Sequence, residues 1–351
     1  MIVVGMMHHR KRPAEVNRAY ACAAVAKAEG VSFFYFSPQG VDTENERIRG
    51  FVYDDGRWKS QEFSYPDVIY NTGSPARMRK YQRRISRLRK KVPFTTSALG
   101  NKKRVFERLQ KGKVFRDYLP ETLFIRDSAE AESMLEKYGR IVVKPVNGHQ
   151  GIGIVYVEKN PYGIRVVEEE YNQLLTTEEF AELIKSKIAE EPFLAQPYIR
   201  GITKDGKSCD FRLHVQKNQQ GIWVFTAGYV RVAQGGSIVC NISRGGYTNY
   251  LEPFLEYEYG ERGREFIPKL EEFALGLANH LDNIHEKTFN ESLDELGIDI
   301  GIDENERIWL YEVNWRPGSP PTFYLELDVV KNALLYAVYL AKKHIKSREL
   351  V

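Results

Sequence analysis

The N-terminal part of the chain contains short apolar runs separated by one alanine-rich stretch whose composition suits a helix. Short apolar runs bounded by turn residues are typical of buried strands. The order of strand, helix and strand indicates a small α/β unit whose strand ends carry polar loops. The pattern predicts strands at residues 2–4, 31–36, 51–53 and 68–70 and a helix at residues 14–29.

The pattern changes after residue 98, where we place the boundary of a second region. Strands and helices alternate in this region, and Thr176 and Glu179 have the spacing of a capping box at the start of a helix. The pattern predicts helices at about 101–111, 128–138, 177–190 and 265–287 and strands at 122–125 and 141–146.

The composition is that of an ordinary soluble protein. The chain has 351 residues, of which 42% are hydrophobic and 28% are charged, and this length suits two or three domains. The first apolar run is too short for a signal peptide, and no later run is long enough to span a bilayer. We therefore expect a cytoplasmic protein with no membrane partner.

The three cysteines give no sign of a disulfide framework or of a zinc site. Cys22, Cys209 and Cys240 are an odd number, and their spacing is not that of metal ligands or of a redox pair. We expect them to be reduced and structural.

One segment concentrates the positive charge. The formal net charge is only +4, yet nine of the fifteen residues at 77–91 are Lys or Arg and none is acidic. Tyr81, Ile85 and Leu88 have helical spacing, so one interpretation is a helix with an apolar stripe and a solvated basic face. The alternative is a docking surface for a polyanion, either an acidic peptide or a nucleic acid.

Two adjacent histidines follow the first predicted strand. His8 and His9 lie just past the carboxyl end of that strand, where small α/β sheets often bind ligands. Their spacing alone does not decide between a binding site and a plain loop. We expect a pair of loop residues without special chemistry.

The segment at 296–318 is the most informative part of the chain. Its apolar runs and polar centre predict two strands joined by a turn. Because side chains alternate between the two faces of a strand, Glu312 and Asn314 should lie on one face, with Tyr311 and Val313 on the other.

The register of this hairpin decides what faces Glu312. If the turn is at 304–307, Asp303 pairs with Ile308, and counting back along both strands places Asp299 opposite Glu312. Two facing carboxylates repel each other unless a cation lies between them. The alternative is a pair of solvent-exposed strand faces in a different register.

Asp299, Glu312 and Asn314 are therefore candidate metal ligands. Their ligand atoms are all oxygens, which is the set that Mg²⁺ prefers, whereas zinc and copper favour nitrogen and sulfur. Such a site leaves room for waters and phosphate oxygens. The sequence predicts a hard divalent cation at this hairpin.

A glycine-rich segment follows a lysine in an apolar strand. Lys144 lies within that strand, where a cation needs an anionic partner. Gly148, Gly151 and Gly153 come next and a second strand follows, so the segment is neither a Walker loop nor a dinucleotide fingerprint. Glycine amides can approach phosphate oxygens closely. We expect a flexible lid, with a plain β-turn as the alternative.

Two later strands carry polar residues that suit a nucleotide or a carboxylate. Gln196 lies in a short strand whose backbone offers donors and acceptors to an adenine edge. Asp210 and Arg212 share one face of the next strand. Arg212, Arg231 and Arg244 are cations of one region, which suits phosphate or carboxylate recognition, although each alone would pass as a surface arginine.

From about residue 101 to the C-terminus, the chain resembles the ATP-grasp enzymes in the order of its motifs. Within that superfamily it looks like the YheC/YheD group of spore coat-associated proteins of endospore-forming bacteria, as judged from Ser97-Ala-Leu-Gly-Asn-Lys-Lys and Asn314-Trp-Arg-Pro-Gly. The ordered motifs are Lys144 in Val-Val-Lys-Pro, the glycine-rich segment, Gln196-Pro-Tyr-Ile, Asp210-Phe-Arg, residues 241–246, and Asp299 with Glu312 and Asn314.

The resemblance implies an α+β ATP-grasp fold, in which two α+β sublobes clasp ATP behind a small α/β domain that helps to frame the substrate. The implied division is an N-terminal domain at 1–98 and an ATP-grasp domain at 99–351. Within the latter, the central sublobe covers about 115–195 and the C-terminal sublobe about 196–345.

The resemblance also implies roles for individual residues. The family usually carries Glu where this chain has Gln196. The implied ATP contacts are Lys144, Lys103 or its neighbour Lys102, Gly148, Gly151, Gly153, Gln196, Tyr198, Ile199 and Asp210. The implied ligands of one or two Mg²⁺ ions, with Mn²⁺ as an alternative, are Asp299, Glu312 and Asn314.

The implied reaction transfers the γ-phosphoryl group of ATP to a substrate carboxylate and gives an acylphosphate that an amine attacks. Arg231, with Arg212 or Arg244, would stabilise the transferring phosphate and the oxyanion. Closure of the lid would exclude water, which otherwise hydrolyses the acylphosphate.

Two other functions remain open. One is a catalytically silent nucleotide-binding scaffold of the spore coat, and the other is a kinase on the same fold, which would give a phosphomonoester instead of an amide. As the partner of the basic segment we prefer an acidic peptide or protein to a nucleic acid, whose binding would weaken steeply with salt. The implied location is the forespore or the mother cell, and the oligomeric state stays open.

Overall fold

The part of the chain that the structure describes forms three β-sheets, one after another in the sequence. The computed structural model describes residues 1–95, 99–100, 102–148, 151–168, 171–234, 240, 246–317 and 323–349. In these ranges, every helix falls short of the length and apolarity that crossing a membrane requires.

The first sheet is mixed, with parallel strands at its centre. It consists of β1 (Val3–Met7), β2 (Ser32–Phe36), β3 (Val41–Asp42), β4 (Arg47–Asp54), β5 (Arg57–Ser64) and β6 (Val68–Asn71). β1 pairs in parallel with both β2 and β6. Because parallel strands end at the same edge, the loops that follow these three strands lie together.

Two helices of the N-terminal part flank this sheet, α1 (Asn17–Ala28) and α2 (Gln82–Arg89). α2 contains most of the basic segment, and its Ile85 and Leu88 are buried in a core shared with β1, β2 and β6. Tyr81 packs against the same core. The predicted apolar stripe is therefore confirmed, and Arg83, with most other basic residues of α2, is exposed.

The second sheet is built from a later part of the chain. Its strands are β7 (Leu123–Ile125), β8 (Arg140–Pro145), β9 (Val155–Asn160), β10 (Gly163–Glu168), β11 (Tyr171–Leu175) and β12 (Phe193–Pro197), in the order β11-β10-β9-β8-β12-β7. The helices α4 (Ser128–Tyr138) and α5 (Thr177–Glu190) pack on this sheet, whereas α3 (Lys102–Gly112), which precedes it in the chain, packs on the core of the third sheet. The capping box of α5 forms as predicted, with the side chains of Thr176 and Glu179 each accepting from the other's backbone N–H.

The third sheet is antiparallel throughout. It has the order β15-β14-β13-β16-β17 and packs against α3 and two later helices over the largest buried core of the described residues. Its elements are β13 (Cys209–Lys217), β14 (Trp223–Val232), β15 (Tyr247–Tyr250), α6 (Leu251–Tyr259), α7 (Gly263–Phe289), β16 (Glu295–Ile302) and β17 (Ile308–Trp315). Phe211 and Leu213 of β13 face this core, which leaves Asp210 and Arg212 on the opposite face, as predicted.

The C-terminal helix α8 (Phe323–Glu349) returns to the first sheet. Its Val330 and Leu334 are buried in one core with Val4 of β1 and Ala19 of α1, and the helix also contacts β13 and β14. Chain position alone assigns this helix to the second domain. The packing instead makes it part of the core of the first sheet.

The hairpin of β16 and β17 begins one residue out of the predicted register. Ile302, and not Asp303, pairs with Ile308. Asp303 belongs to the turn, because its side chain accepts hydrogen bonds from the backbone N–H groups of Asn305 and Arg307. The predicted pairing of Asp303 with Ile308 is therefore wrong.

A β-bulge then restores the predicted pairing further along the hairpin. Ile300 pairs with Leu310, whereas the residue before it in β16, Asp299, pairs with Glu312. Tyr311 is the extra residue of β17 at this point. The predicted position of Asp299 opposite Glu312 is thus confirmed. It depends on the bulge, which counting residues back from the turn did not include.

Candidate functional site

A cleft of about 400 Å³ opens between the second and third sheets. One wall is formed by β8, β12 and the segment after β12, and the opposite wall by residues of β13, β14, β16 and β17. The fold brings together here motifs that are distant in the sequence. The predicted site residues that line the cleft are Lys144, Gly151, Gln196, Tyr198, Ile199, Asp210, Arg212, Arg231, Asp299, Glu312 and Asn314.

The wall from β8 and β12 is largely apolar. Val142, Pro197 and Ile199 contribute aliphatic surface to it. The ring of Tyr198 packs edge-on against Tyr156 with 4.9 Å between the ring centroids. An apolar wall edged by strand backbone suits a flat heterocycle.

Gln196 is buried in this wall, and its amide nitrogen is engaged within the protein. Its Nε2 donates a 2.7 Å hydrogen bond to Oγ1 of Thr122, which itself donates to the carbonyl of Pro120 at 2.9 Å. The side chain of Gln196 therefore holds the wall to the segment before β7.

The two lysines expected at the phosphates lie in different places. Lys144 lies on β8, half-buried, and lines the cleft. Lys103 is exposed on α3, and its Nζ lies 5.0 Å from the ring centroid of Phe124. Lys103 is not among the residues that line the cleft, and the side chain of Lys102 lies outside the described residues.

The glycine-rich loop between β8 and β9 depends on its glycines. Gly151 and Gly153 have φ of +73° and +72°, in the left-handed region that favours glycine. A Cβ added to Gly148 would lie 2.5 Å from Cγ of Pro145. Side chains at these positions would strain the loop, and residues 149–150 at its centre lie outside the described residues.

Two arginines and two aspartates meet at the opposite wall. Arg212 of β13 donates from Nη2 to Oδ2 of Asp299 at 3.0 Å and from Nε to Oδ1. Arg231 of β14 donates from Nε to Oδ1 of Asp210 at 2.5 Å, and its Nη2 lies 3.3 Å from Oδ1 of Asp299. The four residues are neighbours because Asp210 pairs with Arg231, and Arg212 with Asp299, across adjacent strands.

Burial and charge act in opposite directions on these carboxyl groups. Burial would raise the pKa of Asp299, but Arg212 and Arg231 outweigh it, and the pKa lies below its ordinary value. For Asp210, burial outweighs the attraction of Arg231, and the pKa is raised. Burial would lower the pKa of both arginines, but the aspartates raise it instead. The wall therefore presents two permanent cations.

Arg244, the third predicted arginine, lies outside the described residues. Asp210, expected to contact ATP, is the ion-pair partner of Arg231 in this structure. Its contact orients the guanidinium at the edge of the cleft.

Three oxygen-bearing side chains converge beside the arginines, as predicted. Asp299 and Glu312 are cross-strand partners, and both line the cleft. Asn314, two residues after Glu312, donates from Nδ2 to Oδ2 of Asp299 at 3.1 Å. One carboxylate, Asp299, thus joins the arginines to the candidate metal ligands.

The predicted orientation of Tyr311 is wrong. Its ring lies over Gly301, because a Cβ added to Gly301 would overlap the Tyr311 hydroxyl. Gly301 and Asp299 are two residues apart on β16, so this is the face that carries Asp299. Tyr311 therefore lines the cleft with Glu312, and burial raises its pKa well above the ordinary value, which keeps the phenol protonated.

The donor set fits a hard divalent cation. Asp210 and Asp299 are paired with Arg231 and Arg212, and Glu312 brings a third carboxylate to the cleft. No group of three or more His, Cys, Asp or Glu side chains able to hold a metal occurs in the described part of the chain. Two carboxylates and one amide form an open set, which suits an Mg²⁺ ion that brings phosphate and water ligands with it.

Sequence reasoning missed Arg316, which lines the cleft directly after β17. Its Nε donates to the backbone carbonyl of Asn71 at 3.0 Å, and its Nη1 donates to Glu295 at 2.7 Å. Its Nη2 donates to Asp294 at 2.9 Å and to Thr95 at 2.8 Å. Arg316 thus ties the cleft to the first sheet, and the only sequence signal was its place two residues after Asn314.

Glu295 is the centre of this buried network. It pairs with Arg18 of α1 at 3.1 Å and, through Oε1, with Nε2 of His214 at 3.0 Å. Burial would raise its pKa, but Arg18, the His214 hydrogen bond and Arg316 hold the pKa well below the ordinary value. Burial lowers the pKa of His214, so this imidazole is neutral at pH 7.

A cleft between two α+β sublobes behind an α/β sheet is the architecture expected of an ATP-grasp protein. A family model described as YheC/D like ATP-grasp matches residues 91–340, which is more than half of the chain. The chain therefore belongs to the YheC/D-like ATP-grasp family. The resemblance identified from the sequence motifs is confirmed.

Individual proteins agree with this family. The endospore coat-associated protein YheD of Bacillus subtilis (strain 168) is 27% identical over 334 residues, which are 90% of this chain and 72% of YheD. The endospore coat-associated protein YheC of the same organism is 24% identical over 329 residues, which are 91% of this chain and 89% of YheC.

A solved structure supports the fold. The D-alanine-D-alanine ligase from Coxiella burnetii aligns with a TM-score of 0.57 at 13% identity and covers 100% of this chain and 98% of that chain. Together with the family match, this likeness confirms the predicted α+β ATP-grasp fold.

Proposed function

We propose that this chain is an ATP- and Mg²⁺-dependent carboxylate-amine ligase that acts through an acylphosphate. The observation that carries the proposal is the meeting of Arg212 and Arg231 with Asp299 and Glu312 in one cleft, opposite Lys144. Fixed cations beside an open set of carboxylates suit the transfer of a phosphoryl group more than they suit passive storage of a nucleotide.

Two steps make up the proposed reaction. A carboxylate oxygen of the substrate attacks the γ-phosphorus of ATP, the bond from phosphorus to the β,γ-bridging oxygen breaks, and ADP leaves an acylphosphate behind. An amine nitrogen then attacks the acyl carbon and loses a proton, while the bond from that carbon to the phosphate oxygen breaks. The products are an amide and inorganic phosphate.

The arginines are the proposed catalytic groups, with Arg244 as a third candidate. Arg231 and Arg212 would stabilise the charge of the transferring phosphate and of the oxyanion. Their contacts with Asp210 and Asp299 hold both guanidiniums in place before ATP arrives. Such preorganisation is what allows a fixed charge to lower a barrier without first reorganising.

The remaining residues would bind ATP. Lys144 would contact the phosphates under the loop of Gly148, Gly151 and Gly153, and the wall that contains Gln196, Tyr198 and Ile199 would bind the adenine. Asp299, Glu312 and Asn314 would hold one or two Mg²⁺ ions, or Mn²⁺, which would offset the charge of the β- and γ-phosphates.

We further propose that the substrate is an acidic peptide or protein and that the protein acts in sporulation, in the forespore or mother cell. The relatives YheD and YheC carry names that associate them with the endospore coat. The exposed basic residues at 77–91 are the second support, because they favour a polyanionic partner.

Hydroxylamine trapping tests the reaction class. With Mg²⁺-ATP, an acidic peptide pool and hydroxylamine, a ligase should release ADP and form a hydroxamate at the activated carboxyl group. A kinase should give ADP with a stable phosphomonoester and no hydroxamate. ATP binding without ADP release on any pool would favour the nucleotide-binding scaffold and contradict the proposal.

A pair of lysine variants tests the placement of ATP. Lys144→Met should weaken ATP binding roughly tenfold, since it removes a charge-assisted contact from the cleft. Lys103→Met is the matched control, because Lys103 is exposed outside the cleft. Equal losses in both variants would contradict this arrangement of the phosphates.

A further inference from the structure

Four basic side chains meet at the carboxyl edge of the parallel strands of the first sheet. His8, His9 and Arg10 directly follow β1, and Arg77 follows β6. The rings of His8 and His9 have centroids 4.0 Å apart, and Nη1 of Arg77 lies 3.2 Å from Nε2 of His9. Among the described residues, none of the four forms an ion pair with a carboxylate.

Two N–H donors approach the ring of His9, which can accept a hydrogen bond at only one nitrogen. The backbone N–H of Ser74 points at Nδ1 at 3.3 Å, and the guanidinium of Arg77 points at Nε2. A neutral imidazole accepts at only one ring nitrogen, and the other nitrogen carries a proton. In either tautomer, one N–H donor therefore faces another, and an anionic oxygen would satisfy both.

The ring of His8 lies beside that of His9. Its Nδ1 accepts the backbone N–H of Arg10 at 3.1 Å, which leaves the proton on Nε2 in the neutral ring. The pKa of His8 is lowered to about 4 by burial and then by His9, Arg10 and Arg77. Burial and the same arginines also lower the pKa of His9. At neutral pH both rings are thus N–H donors, and the arginines supply the charge.

This cluster is connected to the cleft by one short segment. Arg316, which lines the cleft, donates to the carbonyl of Asn71 at the end of β6. Ser74, whose N–H contacts His9, is three residues later, a span of at most about 11 Å. Residues 71–74 therefore join the cluster to Arg316, and a peptide that extends from the cleft along this segment would meet it.

We propose that His8, His9 and Arg77 form a binding site for a carboxylate of the substrate, distinct from the carboxylate that is activated. This inference rests on the proposed function and deepens it, since it assigns to the substrate at least two carboxylates. The chemical class is an acidic peptide. From the sequence alone, the two histidines were expected to be loop residues without special chemistry, and the contacts of His9 and Arg77 change that interpretation.

The test uses the full chain and the peptide Glu-Glu-Glu as the probe. Titration calorimetry should show binding to the unaltered chain, and Arg77→Gln should weaken it roughly tenfold while ATP affinity stays the same. Arg57→Gln, the same change at an exposed arginine of β5, is the matched control and should bind the peptide normally.

Histidine ring resonances give a second readout that a change in folding would not mimic. The ring ¹⁵N signals of His8 and His9 should shift with Glu-Glu-Glu and not with Lys-Lys-Lys, whereas those of His280 in α7 should stay in place. Equal peptide affinity in the Arg77→Gln variant, or unshifted His8 and His9 signals under saturating peptide, would overturn the proposal.

The outcomes separate this site from the ligase reaction. ATP turnover without any effect of Arg77→Gln on peptide binding would leave the ligase in place and remove the site. Peptide binding that depends on Arg77, in a chain that neither binds nor hydrolyses ATP, would support the site and contradict the ligase.

Discussion

Asp299 and Glu312 face each other across β16 and β17 because Tyr311 is an extra residue in β17. From the pair of Ile300 with Leu310, an unbroken ladder would place Tyr311 opposite Asp299. The bulge instead puts a second carboxylate there and turns the phenol over Gly301. A bulge next to a site often serves to aim side chains in this way, and here it assembles the candidate metal ligands.

The bulge can be tested through Gly301. In the Gly301→Ala variant the new methyl group would overlap the Tyr311 hydroxyl, so Tyr311 and the bulge must move. We expect Mg²⁺-ATP to bind about tenfold more weakly and the free energy of unfolding to fall by about 1–3 kcal/mol. Calorimetry and urea unfolding measure the two effects.

Gly276→Ala is the control for this substitution. A Cβ at Gly276 in α7 would lie an ordinary 3.5 Å from Cζ of Phe115. Alanine is also the better helix former, so this variant should keep its ATP affinity and gain up to about 1 kcal/mol of stability. Unchanged ATP affinity in Gly301→Ala would contradict the role given to the bulge.

Arg231 should matter both for folding and for catalysis, and two variants separate the effects. Arg231→Met leaves the buried Asp210 without its cation and should lower the free energy of unfolding by about 3–5 kcal/mol. The double variant Asp210→Asn with Arg231→Met removes both charges. It should recover most of that stability, but it should remain without turnover. Recovery of turnover in the double variant would contradict a catalytic role for Arg231.

The network around Glu295 predicts a specific dependence on pH. The folded state holds the pKa of Glu295 well below its ordinary 4.5. A depressed pKa contributes stability in full above the unfolded value, and this contribution is lost as the pH falls toward the folded value. At pH 7, the free energy of unfolding of Glu295→Gln should therefore be about 3–5 kcal/mol lower than that of the unaltered chain.

Below pH 4.5 this difference should shrink by roughly 1.4 kcal/mol per pH unit. The reason is that Glu295 takes up a proton in the unfolded chain while it stays ionised in the folded chain. Urea unfolding at pH 7, 5, 4 and 3 measures it. Glu121→Gln, which removes an exposed pair with Lys137, should show a much smaller difference at every pH. A gap for Glu295→Gln that stays constant down to pH 3 would contradict the depressed pKa.

The basic segment should act on the acceptor and not on ATP. Replacing Arg83, Arg84 and Arg87 by Glu should raise the KM for an acidic substrate roughly tenfold and leave the KM for ATP unchanged. Because Arg84 and Arg87 also contact Gln39 and Thr43, the replacement of the same three arginines by Gln is the control. The Gln variant loses the same contacts and should show a smaller rise, and equal effects of both would point to the contacts instead of the charge.

Local signals predicted the regular elements well. α4 and α5 begin and end at the predicted residues, and both begin there because Asp127 and Thr176 cap their first turns through their own side chains. The ordered motifs also predicted many of the residues that line the cleft, such as Lys144, Arg231 and Glu312, but not Tyr311 or Arg316. These signals lie within a few residues of each other, or in a pattern that the whole superfamily shares.

Features that depend on distant parts of the chain could not be predicted in the same way. β5 was missed, because most of its residues are exposed and polar. The place of α8 in the first core depends on contacts with α1, which lies about three hundred residues earlier in the chain. The role of Arg316 depends on partners in three separate segments, and the exposed position of Lys103 depends on how α3 packs.

The most direct test of the central claim is the release of ADP with Mg²⁺-ATP and pooled amino acids and acidic peptides, with mass spectrometry of the products. The unaltered chain should release ADP and form an amide, and Glu312→Ala, which removes a proposed metal ligand, should do neither. An amide formed equally well by Glu312→Ala, or no binding of ATP to the unaltered chain, would contradict the claim.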